Sequence, residues 1–390
     1  MISRGTKPKA FHMRRGRESE QLARGRGLVL TTGYWGNGMR EARGPRRQRN
    51  APTINDVAAR AGVSPMTVSR VINGEGNVRE ATRLRVQEAI VAMRYAPSIA
   101  ARTLAGGEEL RLGLLHSNPS FAYLSAFLVG SLDQASRSNV QLVVEKCDDK
   151  GEIKAIEHLL RGRIDGIVLP PPLSDSPQVV EALQARDIPV VAVATARPPA
   201  DLLSVSIDDR RAAYDMTRHI GSLGHRRIGF IIGNPNQTAS AERLEGYRQA
   251  LTEMGLPVSD DLIVQGYFTY RSGLDAAEAL LALSERPTAI FASNDDMAAA
   301  AVAIAHRRGL DVPRDLTVCG FDDTALATTV WPELTTIRQP VVEMSRTAVD
   351  LLIKEIRARA MRTDGLDHSH VIVPHELIRR QSDAPLDPGK

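Results

Sequence analysis

Apolar positions recur at helical spacing in one part of this chain and in short runs in another. In the first, Ile54, Val57, Ala58 and Ala61 fall at i, i+3, i+4 and i+7, one face of a helix. Thr53 precedes the run with Asp56 three positions on, the arrangement of a capping box. Gly62 follows the last apolar position and predicts a stop in the left-handed region, where a residue without a Cβ is unstrained. A second short helix opens with Ser64 as cap and Pro65 in its first turn, where a missing N–H is harmless. Val68 and Val71 point inward, and Asn73-Gly74 ends the segment. A third helix is predicted from about Arg79 to Arg94, with Val86, Ala89, Ile90 and Met93 on its buried face.

Two capped helices joined through a glycine turn and closed by a third describe a helix-turn-helix. The outward residues of the second helix are Thr67, Ser69 and Arg70, with Pro65 and Met66 at its leading end. That set suits a major groove, where a guanidinium grips guanine O6 and N7 and short hydroxyls meet phosphates. The same geometry also serves as an ordinary three-helix packing unit.

From Leu110 onward short apolar runs alternate with amphipathic stretches. Strands are expected at Leu112–Leu115, Gln141–Val144, Gly166–Leu169, Val190–Val193, Ile228–Ile232, Leu262–Val264, Ala289–Ala292 and Leu316–Cys319. Helical patterns lie between most of them, at Ala122–Ser136, Arg211–Leu223, Ser240–Met254, Leu274–Leu283 and Asp296–Arg308. This alternation predicts parallel sheets covered on both faces, in more strands than one compact sheet holds, hence two doubly wound lobes. Ligands of open α/β sheets bind beyond the C-terminal strand ends. The residues there are His116-Ser117-Asn118, Asn234, Asn294-Asp295 and Gly320-Phe321-Asp322-Asp323.

The run TINDVAARAGVSPMTVSRVIN, with the third helix and the later YAPSIAARTLAGG, closely resembles the headpiece and hinge of the lactose-repressor (LacI/GalR) family of bacterial transcription regulators. The likeness is almost continuous over the headpiece and extends more loosely to about Arg380. It implies an all-α helix-turn-helix headpiece followed by an α/β core like that of periplasmic sugar-binding proteins. Positions matching Pro65, Met66 and Arg70 read bases in that family. The position matching Leu104 wedges into the central minor groove from a hinge helix. The full set of expected DNA contacts is Thr53, Ser64, Pro65, Met66, Thr67, Ser69, Arg70, Asn73, Ala101 and Leu104. Pro65 and Met66 offer no side-chain hydrogen bond, so readout here leans on Arg70 and on apolar contact with thymine methyls. The resemblance also makes Arg243, Asn294, Asp322 and Gln339 effector contacts, to which His116 and Phe121 are added. Arg, Asp and Asn together suit vicinal hydroxyls. Phe121, Tyr123 or Trp331 would stack on the apolar face of a sugar ring. Each position has a structural alternative: Asp322 or Asp323 as a helix cap, Arg243 as a surface ion pair, His116 hydrogen-bonded within the fold. Ala194 stands where the lactose repressor has an acidic residue, which puts a galactoside-like effector in doubt.

Charge sharpens the division. The 390 residues carry a net +4, but residues 1–50 hold 13 Lys/Arg against 3 Asp/Glu and residues 51–105 hold 7 against 4. The remaining residues hold 30 against 39. A basic end attracts phosphates while an acidic body limits wrapping. The expected domains are a disordered basic extension at 1–50, the headpiece at 51–96, a hinge helix and linker at 97–107, the two-lobed core at 108–380 and a flexible tail at 381–390. Residues 1–50 are either a basic arm that adds nonspecific DNA affinity or the product of a mis-called start, with translation beginning at Met13 or Met39. The hinge is too short to be stable as an isolated helix, so a partner chain and bent DNA would have to hold it.

Two cysteines far apart in sequence, Cys147 and Cys319, suggest a reduced cytoplasmic protein without a zinc site. No apolar stretch suggests a signal peptide or membrane span. No catalytic motif appears, and adjacent pairs such as Asp208-Asp209 do not make an acid/base couple across a substrate. The expectation is therefore a non-enzymatic, homodimeric repressor of a carbohydrate-utilisation operon, needing no cofactor. It would bind double-stranded palindromic operator DNA and answer to a small sugar-like effector. The alternatives are control by a protein partner or by a non-sugar metabolite such as a nucleobase or nucleoside; a transport-type solute-binding protein would need a signal peptide and no helix-turn-helix.

Overall fold

The computed structural model describes residues 53–72, 78–93, 110–147, 151–361 and 370–387. The chain divides into two compact units, Met1–Pro97 and Ser98–Lys390. The expected extension at 1–50 and hinge at 97–107 lie outside the described residues.

In the first unit, α1 (Ile54–Ala61), α2 (Pro65–Ile72) and α3 (Glu80–Met93) close around Val57, Ala58, Ala61, Val68, Val71, Val86 and Ala89. The capping box is formed: the Thr53 hydroxyl accepts from the Asp56 amide and the Asp56 carboxylate accepts from the Thr53 amide at 2.8 Å. Gly62 takes φ 64°, as its place at the helix end requires. Burying three valines completely supplies most of the drive for so small a core, since each fully buried valine is worth roughly 1.5–3 kcal/mol.

The second unit consists of two six-stranded sheets. In one lobe the order is β11-β5-β4-β3-β1-β2, all parallel, from β1 (Arg111–His116), β2 (Gln141–Lys146), β3 (Gly166–Leu169), β4 (Val190–Val193), β5 (Leu203–Ser206) and β11 (His370–Ile372). In the other it is β12-β10-β9-β8-β6-β7, from β6 (Ile228–Ile232), β7 (Ile263–Gln265), β8 (Ala289–Ala292), β9 (Thr317–Asp322), β10 (Thr335–Arg338) and β12 (Glu376–Ile378). Here only the β10–β12 pairing is antiparallel. The two sheets repeat one winding order, and each reverses direction beside its first strand. The chain passes between lobes three times: after Ser206, after Arg338 and after Ile372.

Each lobe is faced by a tightly packed helix pair. The helix Phe121–Ser138 lies against Val341–Ala360, and Asp209–Ser222 lies against Thr238–Glu253. A Cβ on Gly246 would overlap the Arg210 carbonyl, so only glycine permits that approach.

The eight expected strands are present, four with the expected ends and four with shifted ones, and four further strands are added. β5, β10, β11 and β12 were obscured because their Ser, Thr, His and Glu positions look polar. In the sheets those groups find partners: Ser204 Oγ lies 2.9 Å from His370 Nδ1, and Thr336 Oγ1 donates to Asp295 at 2.7 Å. The tail departs from expectation. Residues 381–387 are not a loose end but are docked on the second lobe. The Val318 amide donates to the Ser382 carbonyl, Asp383 accepts from Thr335 Oγ1 and sits 2.8 Å from His219 Nε2, and the Leu386 amide donates to Leu223. Ser382 and Asp383 satisfy polar groups at the rim of the sheet, which a polarity count along the sequence does not register.

Candidate functional site

On the headpiece, α2 carries the expected outward set. Ser64 Oγ accepts from the Thr67 amide at 3.2 Å and lies 3.0 Å from Thr67 Oγ1, so the turn and the start of α2 are tied together. Pro65, Met66 and Arg70 are exposed, and Thr67 and Ser69 are half-buried; Met66 is 66% exposed, an apolar side chain presented to solvent. Thr53 is exposed at the start of α1. Asn73, Ala101 and Leu104 lie outside the described residues.

In the core, both sheets reverse winding at β1/β3 and β6/β8, and the turns leaving those strands face one cavity between the lobes. From the first lobe come Asn118, Ser120 and Tyr123 after β1, Pro171 after β3 and Ala194 after β4. From the second come Gln237, Ala239 and Arg243 after β6, Phe268 after β7, Asn294 after β8 and Asp322 at the end of β9. Gln339, on the second passage between lobes, completes the wall. With the lobes in this arrangement the cavity holds about 30 Å³, room for a water molecule or two, so a larger ligand needs the lobes to part.

The lobes are drawn together over it. Ser120 Oγ donates to Asp296 Oδ2 at 2.8 Å, and Arg197 pairs with Glu242. Asp175, from the first lobe, accepts from Thr195 Oγ1 at 2.6 Å, from Thr238 Oγ1 at 2.8 Å and from the Thr238 amide at 3.0 Å. The helix Thr238–Glu253 has no side-chain cap of its own, so its N-terminus is satisfied by a carboxylate from the opposite lobe.

Arg243 is the electrostatic centre. Only 4% exposed, it donates through Nε to Asp209 Oδ1 at 2.7 Å and through Nη1 to the Ser293 carbonyl at 2.6 Å. Asp322 Oδ1 lies 3.8 Å from Nη1, and the guanidinium sits 3.6 Å from the centre of the Phe321 ring. Asp322 accepts from Gln339 Nε2 at 2.7 Å. Burial pushes Asp322 up to about 7, with the Arg243 charge opposing the rise. Burial likewise raises Asp209, Asp295 and Asp296 above the usual carboxylate range. Asp322 and Asp323 occupy positive φ, 109° and 55°, a turn held by Asp323 pairing with Arg338 and Arg380.

These positions decide between the readings of several residues. Asp322 and Asp323 do not cap the following helix, which has no side-chain cap. Arg243 is a buried ion pair rather than a surface one. Asn294 lines the cavity but also caps the helix Asp295–Arg307, its Oδ1 accepting from Met297 and its Nδ2 donating to the Phe268 carbonyl. Thus Arg243, Asn294, Asp322 and Gln339 are brought together. His116, half-buried at the end of β1, and Phe121, 87% exposed at the first turn of its helix, are not among the lining residues. Phe121 misses because Ser120 caps that helix and turns its first residue outward. Trp331 is also outside the lining and 74% exposed.

Phe268, Gln237 and Ser120 had no sequence signal of their own. Phe268 enters because a Cβ on Gly233 would overlap its ring; the glycine after β6 was the available hint. Among the described residues no group of three or more His, Cys, Asp or Glu converges as a metal site would, and no helix is long and apolar enough to cross a membrane.

Residues 53–98 match the model of bacterial regulatory proteins of the lacI family, and residues 217–382 match a periplasmic binding protein-like domain. Catabolite control protein A of Priestia megaterium is 38% identical over 336 residues, 85% of this chain and 98% of that protein. The HTH-type transcriptional regulator DegA of Bacillus subtilis is 36% identical over 346 residues, 86% of this chain and 99% of that one. Among solved structures, the transcriptional regulator CelR in complex with cellobiose is 30% identical with a TM-score of 0.65, covering 85% of this chain and 99% of CelR. The lac repressor dimer bound to operator and the anti-inducer ONPF is 28% identical with a TM-score of 0.63 over the same shares. With the fold, the headpiece and the relatives in agreement, the chain belongs to the lacI family of bacterial regulatory proteins and is a DNA-binding transcriptional regulator.

Proposed function

We propose that the protein represses genes of carbohydrate use, binding a palindromic operator as a homodimer whose affinity is set by a sugar-like ligand in the cleft. The observation that carries this reading is a polar cavity at the switch points of both sheets, in a chain that also holds a helix-turn-helix. The CelR–cellobiose complex and the operator-bound lac repressor dimer support the two halves.

In this mechanism α2 lies in the major groove. Arg70 grips a guanine, Pro65 and Met66 meet thymine methyls, and Thr53, Ser64, Thr67, Ser69 and Asn73 contact the backbone. Two subunits place two headpieces on symmetric half-sites. Residues 97–107 connect headpiece to core, with Ala101 and Leu104 in the minor groove at a deformable central step. The ligand favours one arrangement of the two lobes, and a coupling of roughly 1–3 kcal/mol changes operator affinity.

Selection of duplexes from a random pool by the full chain tests the DNA half: the recovered sites should form an inverted repeat. Arg70→Ala should then lose about 1–3 kcal/mol of discrimination at one base pair in each half-site. Recovery of unrelated sequences, or none, would reject the reading. A melting-temperature screen against neutral mono- and disaccharides tests the sensing half, because a ligand of the folded state stabilises by mass action.

A further inference from the structure

A second cavity, of about 380 Å³, opens on the second lobe at the opposite end of its strands from the cleft. Its walls are the turns that lead into β6, β8 and β9, at His225, Arg286 to Thr288 and Pro313 to Leu316, closed on one side by Pro385 and Leu386 of the docked tail. That volume lies within the range of small-molecule sites, far above the 30 Å³ of the cleft.

Arg286 is the unusual member of the wall. It is half-buried, and its Nη1 donates to the Asp315 carbonyl at 3.1 Å and, more weakly, to the Pro287 carbonyl at 3.5 Å. Among the described residues no carboxylate pairs with it, and its Nε and Nη2 donate to nothing. Other arginines of the same lobe are paired: Arg227 with Asp261 at 2.7 Å and Arg308 with Glu278 at 2.6 Å. A guanidinium taken partly out of water without a counter-charge is costly, and the Nε–Nη2 edge left over is the one that grips a carboxylate through two parallel hydrogen bonds.

The other charges of the wall fix the valence. Arg314 stands exposed at the rim, 3.6 Å from Asp315 and 3.9 Å from Asp311. Asp315 turns its carboxylate to the Asp311 amide at 2.9 Å. His225 is buried and neutral, since burial lowers its pKa; its Nε2 lies 3.0 Å from the Ala384 carbonyl and its Nδ1 2.9 Å from Thr288 Oγ1. Two arginines against one aspartate leave one positive charge. The rest of the wall is apolar: Leu316 is buried, and Pro313, Pro385 and Leu386 line the opening.

We infer that this cavity is a second ligand site, for a small monocarboxylate with an apolar body, whose carboxylate pairs with Arg286 and whose body packs on Leu316 and Leu386. Because Leu386 belongs to the tail, an occupant also pins the tail to the lobe. The tail's own ties there are the Leu386 amide donating to Leu223 at 2.8 Å and the Ala384 amide donating to Thr317 Oγ1 at 3.2 Å.

The probes are benzoate and cyclohexanecarboxylate, beside their neutral amides and beside acetate and inorganic phosphate, with the full chain followed by melting temperature and amide hydrogen exchange. The two apolar carboxylates should raise the melting temperature saturably and slow exchange at Ala384 and Leu386; the amides, acetate and phosphate should do neither. Arg286→Gln should weaken carboxylate binding at least tenfold, and Arg286→Lys should fall between, keeping the charge without the fork. Leu386→Ser should reduce the response to benzoate towards that of acetate. Exchange in the wild type locates the site without any variant, so a poorly folding Arg286→Gln leaves the test intact. Equal stabilisation by an amide, by acetate or by phosphate overturns the inference, as does unchanged affinity in Arg286→Gln. So does slowed exchange around the cleft in place of the tail, or silence from both carboxylates.

Discussion

The headpiece core and the floor of the cleft are built on opposite principles. Seven buried apolar residues from three neighbouring helices make the first, all within 33 positions of one another along the chain. The second is charged, and its parts come from Asp209, Arg243, Ser293, Asp322 and Gln339. In the headpiece the favourable quantity is apolar area taken from water. In the cleft every charge loses hydration, and stability depends on each having its partner. The difference teaches where each region is fragile: one to lost volume, the other to a lost counter-charge.

The comparison breaks most sharply at Arg243. Arg243→Met should leave Asp209 and Asp322 buried without their cation and destabilise the core by about 3–5 kcal/mol. Chemical denaturation reads this, and adding Asp209→Asn should recover part of it. A variant that lost only ligand response at full stability would make Arg243 a contact and not a pillar.

Val57→Ala in the headpiece should cost about 2 kcal/mol by removing fully buried methyl groups from a core with little else. Operator binding should weaken while the core melts unchanged; a shared loss would show that the two units do not melt separately. Next in size, Asp175→Ala should remove the cap that one lobe lends the other, at about 1 kcal/mol. Hydrogen exchange at the first turn of Thr238–Glu253 should speed up, and an unchanged rate would deny the cap any role in closure.

A further effect is a matter of pH. Burial raises Asp322 from 3.8 to about 7, so over that interval the folded protein holds a proton the unfolded chain has released. The stability this contributes is complete below about pH 4 and is lost as pH rises through about 7. Asp322→Asn should therefore gain on the wild type as pH rises from about 5 to about 8, and a constant difference in melting temperature would contradict the assignment.

Much of the fold was legible because it depends on neighbours in sequence. The Thr53–Asp56 box, the Gly62 stop and the Val68/Val71 face follow from caps and periodicity alone, and the eight apolar strands from runs such as Val190–Val193. The site was legible in part. Arg243, Asn294, Asp322 and Gln339 were marked by family resemblance and by standing after strands, and they meet at one cavity. Phe121 was chosen over its near neighbour Tyr123 because an aromatic pair on one helical turn does not announce which ring faces inward. The cap at Ser120 sets that rotation. Phe268 and the Asp175 latch were invisible, since each matters only through a residue far along the chain.

The amino-acid order by itself determined the helix-turn-helix, the alternation that makes two wound sheets, and the split between a basic end and an acidic body. Those depend on local torsion preferences, on period and on summed charge. Only the tertiary structure decided which polar residues stop being surface. It buried Arg243 between two carboxylates, docked the 381–387 tail on a sheet rim, and left Tyr123 and Gln339 facing one cavity. The physical reason is that the cost of a buried polar group is set by what stands within about 3 Å of it, and such neighbours are chosen by the fold, not by sequence order.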